Sequence, residues 1–490
     1  MKLLYIDLFC GAGGTSTGVE NARYEGRQCA KVIGCVNHDA NAIASHAANH
    51  PDALHFTEDI RMLELSPLTA HIAEMRRQYP DAFVVLWASL ECTNFSKAKG
   101  GQPRDSDSRT LAEHLFRYIE AINPDYIQIE NVEEFMSWGD LDENGKPISK
   151  DAGRLYLQWV SNVCGYGYRF AHRILNSADY GAYTTRRRFF GIFAKGSLPI
   201  VFPEPTHSKD GATGLFGQMQ RWKPVREVLD FTDEGKSIFG RKKPLVDATL
   251  ERIYAGLIKF VAGGKEAFLV KWNSMSSTGK YHAPSIDEPC PTVATQNRLG
   301  IAQVNFLSKH YGGSPAGKCV SVEEPAGTIT TWDHHSFITA YYDNGHNHSI
   351  DAPAPTLTTR DRLAFVDMQY GNGTPCGIET PAPTVTTNPK HQLVTCRMKQ
   401  QGATIAVTTD DSPAMAKIKR FMALYGIIDI KMRMLRIPEL KRIMGFPSDY
   451  VLVGTQADQK KFIGNAVEVN MARVLCEALC TQLIKNNIAA

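Results

Sequence analysis

The segment LLYIDLFCGAGG, residues 3–14, decides the fold class. Residues 3–9 are almost all apolar and predict a buried β-strand, and a Gly-x-Gly-Gly turn follows directly. Glycines in such a turn let the backbone approach a ligand closely. The turn alone leaves three alternatives open: a nicotinamide enzyme, a methyl-donor enzyme and a plain tight turn.

The first 200 residues continue this alternation of strands and helices. Further apolar runs predict strands at residues 31–36, 83–87, 126–129 and 188–193. Helical patterns lie between them, so the chain predicts an α/β fold with a doubly wound, mostly parallel sheet. Ligands bind such sheets outside the carboxyl ends of the strands. Gly11, Asn37 and Cys92 fall at those ends.

The composition is that of an ordinary globular protein, with 490 residues, 43% of them hydrophobic and 21% charged. The net charge of +3 is too small to argue for or against a nucleic-acid partner. The eleven cysteines include no CxxC pair, so we expect free thiols in a reducing compartment and no metal site. We recognise neither a signal peptide nor a membrane span, and we expect a cytoplasmic protein.

The chain predicts three segments, at residues 1–204, 205–415 and 416–490. The middle segment repeats an acidic-Pro turn followed by a Thr-rich stretch, and its anchoring prolines are Pro289, Pro325, Pro353 and Pro381. Period-2 patterning predicts stacked β-hairpins. The repeat is either a β scaffold or a surface for an extended ligand. In the second case the repeat tips would contact phosphates and base edges, with Thr358, Thr359, Asp361 and Arg362 as an example.

Polar residues stand at two successive strand ends after the glycine turn. Asn37 and His38 follow one, where a polar side chain could bind ribose hydroxyls, and Asp59 and Ile60 follow the next, where they could face an adenine. Together with the glycine turn they favour a cofactor that contains adenosine.

A second group of residues points to covalent catalysis. Cys92 and Glu130 follow two strands whose carboxyl ends meet at one sheet edge. A thiol and a carboxyl there suit a nucleophile and a group that holds the substrate. Because side chains alternate along a strand, Arg186 and Arg188 can point into the site while Arg187 points out.

With these motifs in place, the chain resembles the DNA cytosine-5 methyltransferases. The resemblance rests on six motifs in family order: DLFCGAGG, ECTNFS, ENV, YGAYTTRRR, RMLRIPELKRIMGFPSDY and FIGNAV. They lie within residues 1–198 and 430–470. The family places its target-recognition domain in the middle third, so the resemblance implies a Rossmann-like methyltransferase with a large inserted β-rich recognition domain.

The resemblance implies a role for each catalytic residue. Cys92 adds to C6 of a flipped-out cytosine in duplex DNA, and C5 then accepts a methyl group from S-adenosylmethionine. Glu130 binds N3 and the exocyclic amine, Arg188 holds O2, and Arg186 helps to fix the base. A loop at about residues 97–107 is expected to close over the base.

The resemblance also implies a cofactor pocket and partners. The pocket is lined by Phe9, Gly11, Ala12, Gly13, Gly14, Asn37, His38, Asp59, Ile60 and Asn465. The partner is double-stranded DNA, and the protein is expected to be a bacterial or phage-encoded monomer without membrane contact. A cognate restriction endonuclease is an expected companion in the cell that catalysis does not require.

The chain departs from the family pattern at four positions. Glu91 replaces a proline, Thr93 a glutamine, Thr184 a glutamine and Glu468 a proline. A carboxylate beside a thiol disfavours the thiolate. The alternatives are ordinary methylation with Glu91 in solvent, a changed base or donor with Glu91 in the site, or a catalytically weak DNA-binding homologue. An RNA methyltransferase is a fourth.

Overall fold

A computed structural model describes most of the N-terminal half and the C-terminal part of the chain. The described residues are 1–90, 112–140, 142–143, 147–211, 213–214, 217–230, 232–233, 235–258, 407–425 and 427–486, with the strands 267–271, 290–291, 299–303, 307–309, 319–320, 335–336, 364–368 and 391–398. Several predicted features lie outside these ranges: Glu91, Cys92, Thr93, the covering loop and the prolines and tips of the repeat.

The chain forms two compact units. The first unit comprises Met1–Trp222 and Lys441–Ala490, and the second comprises Lys223–Leu440. The chain therefore leaves the first unit once and returns to it. The assignment of the middle segment to target recognition stays a prediction.

A seven-stranded sheet forms the centre of the first unit. Its strands in chain order are β1 (Leu3–Leu8), β2 (Ala30–Asn37), β3 (Leu54–Thr57), β4 (Phe83–Ser89), β5 (Tyr126–Asn131), β6 (Tyr168–Asn176) and β7 (Arg187–Lys195). The spatial order is β3-β2-β1-β4-β5-β7-β6. Strands β1 to β5 are parallel, and β7 is antiparallel to both its neighbours. This confirms the predicted fold class, and the strand order reverses between β1 and β4, where such sheets bind ligands.

Helices pack on both faces of this sheet. They are α1 (Gly14–Glu20), α2 (Ala40–Asn49), α3 (Ser66–Gln78), α4 (Leu115–Ile122), α5 (Arg154–Cys164), α6 (Gln456–Asn465) and α7 (Val469–Lys485). Within the described ranges, no helix combines the length and the apolar character that a membrane crossing needs.

The two faces of β1 belong to two separate apolar cores. Leu4 and Ile6 pack in one core, and Leu3 and Tyr5 pack in the other, because successive side chains of a strand point to opposite faces. The second core contains the buried face of α7, which consists of Met471, Ala472, Leu475, Cys476, Leu479, Cys480 and Leu483. This segment packs on the sheet of the first unit, and Cys476 and Cys480 are core residues.

The second unit contains a six-stranded sheet. Its strands are Ala267–Lys271, Leu299–Gln303, Ala364–Met368, His391–Met398, Ile427–Arg433 and Lys236–Ser237. A buried ion pair fixes the end of strand Ile427–Arg433, where both terminal nitrogens of Arg433 donate to Glu439 at 2.9 Å. The second unit thus contains β-structure, as the sequence predicts for the middle segment.

Candidate active site

The loop at residues 9–13 connects β1 to α1. Phe9, Gly11 and Gly13 have φ angles of 60°, 53° and 97°, a region that glycine adopts most readily. Ala12 and Gly13 are buried. A Cβ on Gly13 would lie 2.4 Å from the Tyr450 hydroxyl, whereas a Cβ on Gly11 would meet no atom within 4 Å. The loop is therefore tightly packed at Gly13 and open at Gly11.

Side chains from the following helix and from distant segments hold this loop in place. The Tyr450 hydroxyl donates to the Ala12 carbonyl at 2.5 Å, and the Thr17 hydroxyl donates to the Gly13 carbonyl at 2.6 Å. His50 Nε2 lies 3.1 Å from the Thr17 hydroxyl and 3.4 Å from that of Tyr450. Sequence reasoning missed these supports, and the only signal was that Tyr450 ends the motif RMLRIPELKRIMGFPSDY.

The residues after β2 lie beside this loop, since β2 is a parallel neighbour of β1. Asn37 Oδ1 accepts a hydrogen bond from the Asp39 backbone N–H at 2.9 Å, and Asp39 caps the N-terminus of α2. The side chain of His38 is exposed. This turn therefore presents His38 to solvent at the carboxyl edge of the sheet.

The residues after β3 form the next turn along the same edge. The Asp59 carboxylate accepts from the Arg61 guanidinium, with a shortest N–O distance of 2.7 Å. This hydrogen bonding to Arg61 holds the pKa of Asp59 below its usual value. Ile60 is buried, and its carbonyl accepts from Arg117 and Tyr118 at 3.0 and 2.9 Å. To bind a ligand, the Asp59 carboxylate must therefore exchange hydrogen bonds from Arg61 for hydrogen bonds from the ligand.

A segment from the C-terminal part of the chain also reaches the glycine-rich loop. Phe462 packs in one apolar cluster with Ala12. A Cβ on Gly14 would lie 2.5 Å from the Val467 carbonyl. Asn465 stands between these contacts and its side chain is exposed. The fold therefore brings Asn465 to the same edge as the loop.

A buried carboxylate lies between two arginines near the end of β5. Glu130 is 6% exposed, and its Oε1 lies 3.2 Å from Arg188 Nε and 3.8 Å from Arg186 Nη2. Within the described residues this oxygen has no hydrogen-bond donor. Since buried polar atoms are normally hydrogen-bonded, Glu130 Oε1 is a ready acceptor for a donor on a ligand.

The alternation of side chains determines which arginines face this carboxylate. Arg186 and Arg188 lie beside it, whereas Arg187 pairs with the more exposed Glu133 at 2.8 Å. Arg186 is itself 4% exposed, and its Nη1 donates to the Gly464 carbonyl at 3.2 Å. Arg186 therefore connects the carboxylate to the segment that carries Asn465.

Strand β4 leads toward the predicted nucleophile. Ser89, the last residue of β4, is the register partner of Glu130 in β5, and Asn131 Nδ2 donates to the Leu90 carbonyl at 3.4 Å. Cys92 follows two residues later, outside the described ranges. The chain thus enters the segment that contains Cys92 directly beside Glu130.

Two of the departures from the family pattern are buried in the structure. Thr184 is fully buried. Glu468 is 1% exposed and caps α7, because its carboxylate accepts from the backbone N–H groups of Asn470 and Met471 at 3.1 and 2.7 Å. Burial raises the pKa of Glu468 to about 7. The carboxylate in place of proline is therefore a helix cap.

The buried cap predicts a pH-dependent stability. Because the folded-state pKa of Glu468 is raised, its contribution to stability is full below the unfolded pKa of about 4.5 and is lost as the pH rises through about 7. Glu468→Gln removes this pH-dependent contribution, so the unfolding free energy of the variant relative to the wild type should rise by about 2.5 kcal/mol between pH 5 and pH 8. Urea unfolding at both pH values measures this difference, and Glu477→Gln, on the same helix but only partly buried, is the matched control. An identical difference at the two pH values would contradict the prediction.

The chain is similar to a known protein family and to several known proteins. The family model for C-5 cytosine-specific DNA methylase matches residues 3–215 and 320–481. Type II methyltransferase M.AgeI of Thalassovita gelatinovora is 28% identical over 211 residues, which are 43% of this chain and 44% of that protein. Type II methyltransferase M1.HphI of Haemophilus parahaemolyticus is 26% identical over 216 residues, or 44% and 52%. The chain thus spans about half the length of these relatives. The solved S. pombe Dnmt2 methyltransferase has a TM-score of 0.45 and 14% identity, covering 100% of both chains.

The family match includes both parts of the chain that form the site. Its first range contains β1 to β7, and its second contains Tyr450, Asn465 and Glu468. Together the two ranges cover well over half of the 490 residues. The resemblance of the motifs is thereby confirmed, and the chain belongs to the C-5 cytosine-specific DNA methylases.

Proposed function

We propose that this protein is a DNA (cytosine-5-)-methyltransferase, which transfers a methyl group to C5 of a cytosine in duplex DNA. The observation that carries the proposal is the buried Glu130 Oε1, which lies beside two arginines and makes no hydrogen bond within the described residues. Cytosine offers a donor at its N4 amine, and N3 becomes a second donor when protonated. A carboxylate is the side chain that accepts from both.

Each proposed catalytic residue has a defined task. The Cys92 thiolate adds to C6, and the electron pair of the C5–C6 bond moves to C5. Glu130 favours this addition by holding N3 in its protonated form, while Arg188 binds O2 and Arg186 fixes the carboxylate. S-adenosylmethionine, when bound, supplies the methyl group that C5 accepts. A base then removes the C5 proton, and the C6–S bond breaks to release Cys92.

The residues at the sheet edge fit an adenosine-bearing methyl donor. Gly11 leaves open space beside the loop. The exposed side chains of His38 and Asn465 stand at the same edge, and Asp59 is a polar acceptor once it exchanges its contact with Arg61. We propose that these residues, with Phe9, Asn37 and Ile60, hold S-adenosylmethionine.

The substrate is proposed to be double-stranded DNA. C6 of a paired cytosine is stacked inside the duplex, so the base must be flipped out at a cost of a few kcal/mol. The second unit is proposed to recognise the target sequence. The type II names of the relatives support a bacterial restriction-modification setting with a cognate endonuclease. We also propose a cytoplasmic location and a monomeric enzyme.

A mechanism-based trap tests the proposed function. Incubation with S-adenosylmethionine and duplex DNA that contains 5-fluorocytosine should yield a covalent protein–DNA adduct, because fluorine at C5 cannot be removed as a proton is. The adduct should be lost in Cys92→Ser. Mass analysis of nucleosides from ordinary DNA should show 5-methylcytosine, whereas a heavier base would support a changed donor. Absence of any adduct, with the methyl donor still bound, would favour a pure binding protein.

The support of the glycine-rich loop predicts a binding effect. Tyr450→Phe removes the hydrogen bond to the Ala12 carbonyl, and a buried bond of this kind contributes about 1–2 kcal/mol. We expect the Kd for S-adenosylmethionine to rise about tenfold by calorimetry. The control is Tyr166→Phe, which loses a hydrogen bond from a more exposed tyrosine to Glu120 and should leave the Kd unchanged. An unaltered Kd in Tyr450→Phe would exclude this role of the hydroxyl.

A further inference from the structure

Three potential metal ligands converge under the cofactor edge of the sheet, outside the catalytic cluster. They are Cys35 on β2, His46 on α2 and His55 on β3. One ligand atom from each can be chosen so that all three lie within 4.8 Å of one another. We propose that Cys35, His46 and His55 form a binding site for a divalent cation of the zinc type.

The hydrogen bonds around His46 leave one ring nitrogen for a cation. The Ser16 hydroxyl donates to Asp7 Oδ2 at 2.9 Å, so the Ser16 oxygen accepts from His46 Nε2, also at 2.9 Å. The proton of the His46 ring is then on Nε2, and Nδ1 carries a lone pair. A metal-bound histidine usually donates its other ring N–H to a nearby acceptor, and the Ser16 oxygen is that acceptor here.

The lone pair of His46 points at a second imidazole. His46 Nδ1 lies 2.9 Å from His55 Nε2. A proton can occupy this gap, and so can a cation if the nitrogens move apart slightly, because two nitrogens on a tetrahedral zinc are about 3.3 Å apart. Cys35 Sγ lies 3.3 Å from the same His46 ring, at Nε2, and it is the third member of the group whose ligand atoms lie within 4.8 Å of one another.

Charge and access support the site. Cation binding releases the thiol proton of Cys35 to solvent, so the bound zinc and thiolate carry a net charge of +1. Asp7 is the register partner of Cys35, is 1% exposed, and its Oδ1 has no hydrogen-bond donor in the described part of the chain. Its carboxylate can offset that charge. His46 is fully buried whereas His55 is partly exposed, which provides a path from solvent.

The proposal differs from the expectation of no metal site, because that expectation rested on spacing along the chain. The three ligands come from β2, α2 and β3, and only the fold brings them together. A cation there would join these three elements next to the glycine-rich loop. The site lies apart from Glu130, so its role would be structural.

Cobalt titration of the chelator-treated full-length protein tests the site. We expect one equivalent of Co²⁺ to give a thiolate-to-cobalt charge-transfer band, and Zn²⁺ to displace it. Cys35→Ser should abolish the band, and His55→Gln should weaken cobalt binding at least about tenfold. Cys164 and His71 are partly buried residues elsewhere in the same unit. The control variants Cys164→Ser and His71→Gln should leave the charge-transfer band and the cobalt affinity unchanged.

Two results would overturn the proposal: no stoichiometric band in the wild type, or a band that survives in Cys35→Ser. If Cys35→Ser fails to fold, His55→Gln carries the test, because His55 is partly exposed and its substitution is better tolerated. The readout is metal binding, so it is independent of whether the protein methylates DNA.

Discussion

Glu130→Gln is expected to lower the rate of methyl transfer by about 10²–10⁴-fold, the range typical for loss of a positioned acid or base. The amide has nearly the same shape as the carboxylate, but it carries no charge to favour a protonated N3. It also offers a donor where the cytosine amine requires an acceptor. Single-turnover transfer of labelled methyl groups to unmethylated bacterial DNA measures the effect.

A neighbouring carboxylate provides the control for this substitution. Glu133→Gln changes a side chain that is 39% exposed and pairs with Arg187, so it should leave the rate within about threefold of the wild type, as expected for an exposed pair. Binding of S-adenosylmethionine should persist in both variants, since the proposed contact of Glu130 is to the base. If the Glu130→Gln variant were as active as Glu133→Gln, the proposed role of Glu130 in binding the cytosine would be wrong.

Gly13→Ala is expected to disrupt the cofactor loop. Its φ of +97° is unfavourable for alanine, and the added Cβ would lie 2.4 Å from the Tyr450 hydroxyl and 3.2 Å from ring carbons of His46 and His50. Strain and overpacking of this kind together cost about 2–5 kcal/mol. We therefore expect the Kd for S-adenosylmethionine to rise at least about 30-fold, measured by calorimetry together with thermal unfolding.

Two further variants separate steric clash from backbone strain. Gly26→Ala places a Cβ at φ +77° with no atom within 4 Å, so it has the strain without the clash and should keep cofactor binding. Combining Gly13→Ala with Tyr450→Phe removes the oxygen that the new Cβ meets. The double variant should therefore bind more tightly than the sum of the single effects predicts, and purely additive losses would show that the clash is unimportant.

Most of the parallel sheet could be predicted because its central strands are buried on both faces. LLYIDL and FVVLWAS are nearly continuous apolar runs, as strands covered on both sides require. The residues of β3 and β6 were not assigned to strands, since both lie at the edges of the sheet and neither has such a run. Only the polar residues after β3 indicated where it ends. Helix α6 was missed because QADQKKFIGN is mostly polar and buries only Phe462, Ile463 and Gly464.

The site could be predicted only where its residues follow strand ends. Glu130, Arg186 and Arg188 meet because β5 and β7 pair, and their relation follows from strand alternation. The support of the loop could not be predicted, because Tyr450 lies more than 400 residues from Ala12 in sequence. The same holds for the cluster around His46, which depends on how α2 packs against the sheet. The only sign of the Glu468 helix cap in the sequence was that this residue replaces a proline of the family pattern.

During synthesis on the ribosome, the apolar face of the sheet that α7 covers stays open until the last part of the chain emerges. Helix α1 also lacks its packing partner until then. Gly18 lies so close to α7 that a Cβ there would be 2.4 Å from the Val469 carbonyl. The intervening residues 223–440 take roughly 10–40 s to translate at 5–20 residues per second. For that interval the α7 residues that share a core with Leu3, Tyr5 and Val32 are absent, so the length of the insertion sets how long this apolar surface lacks its cover.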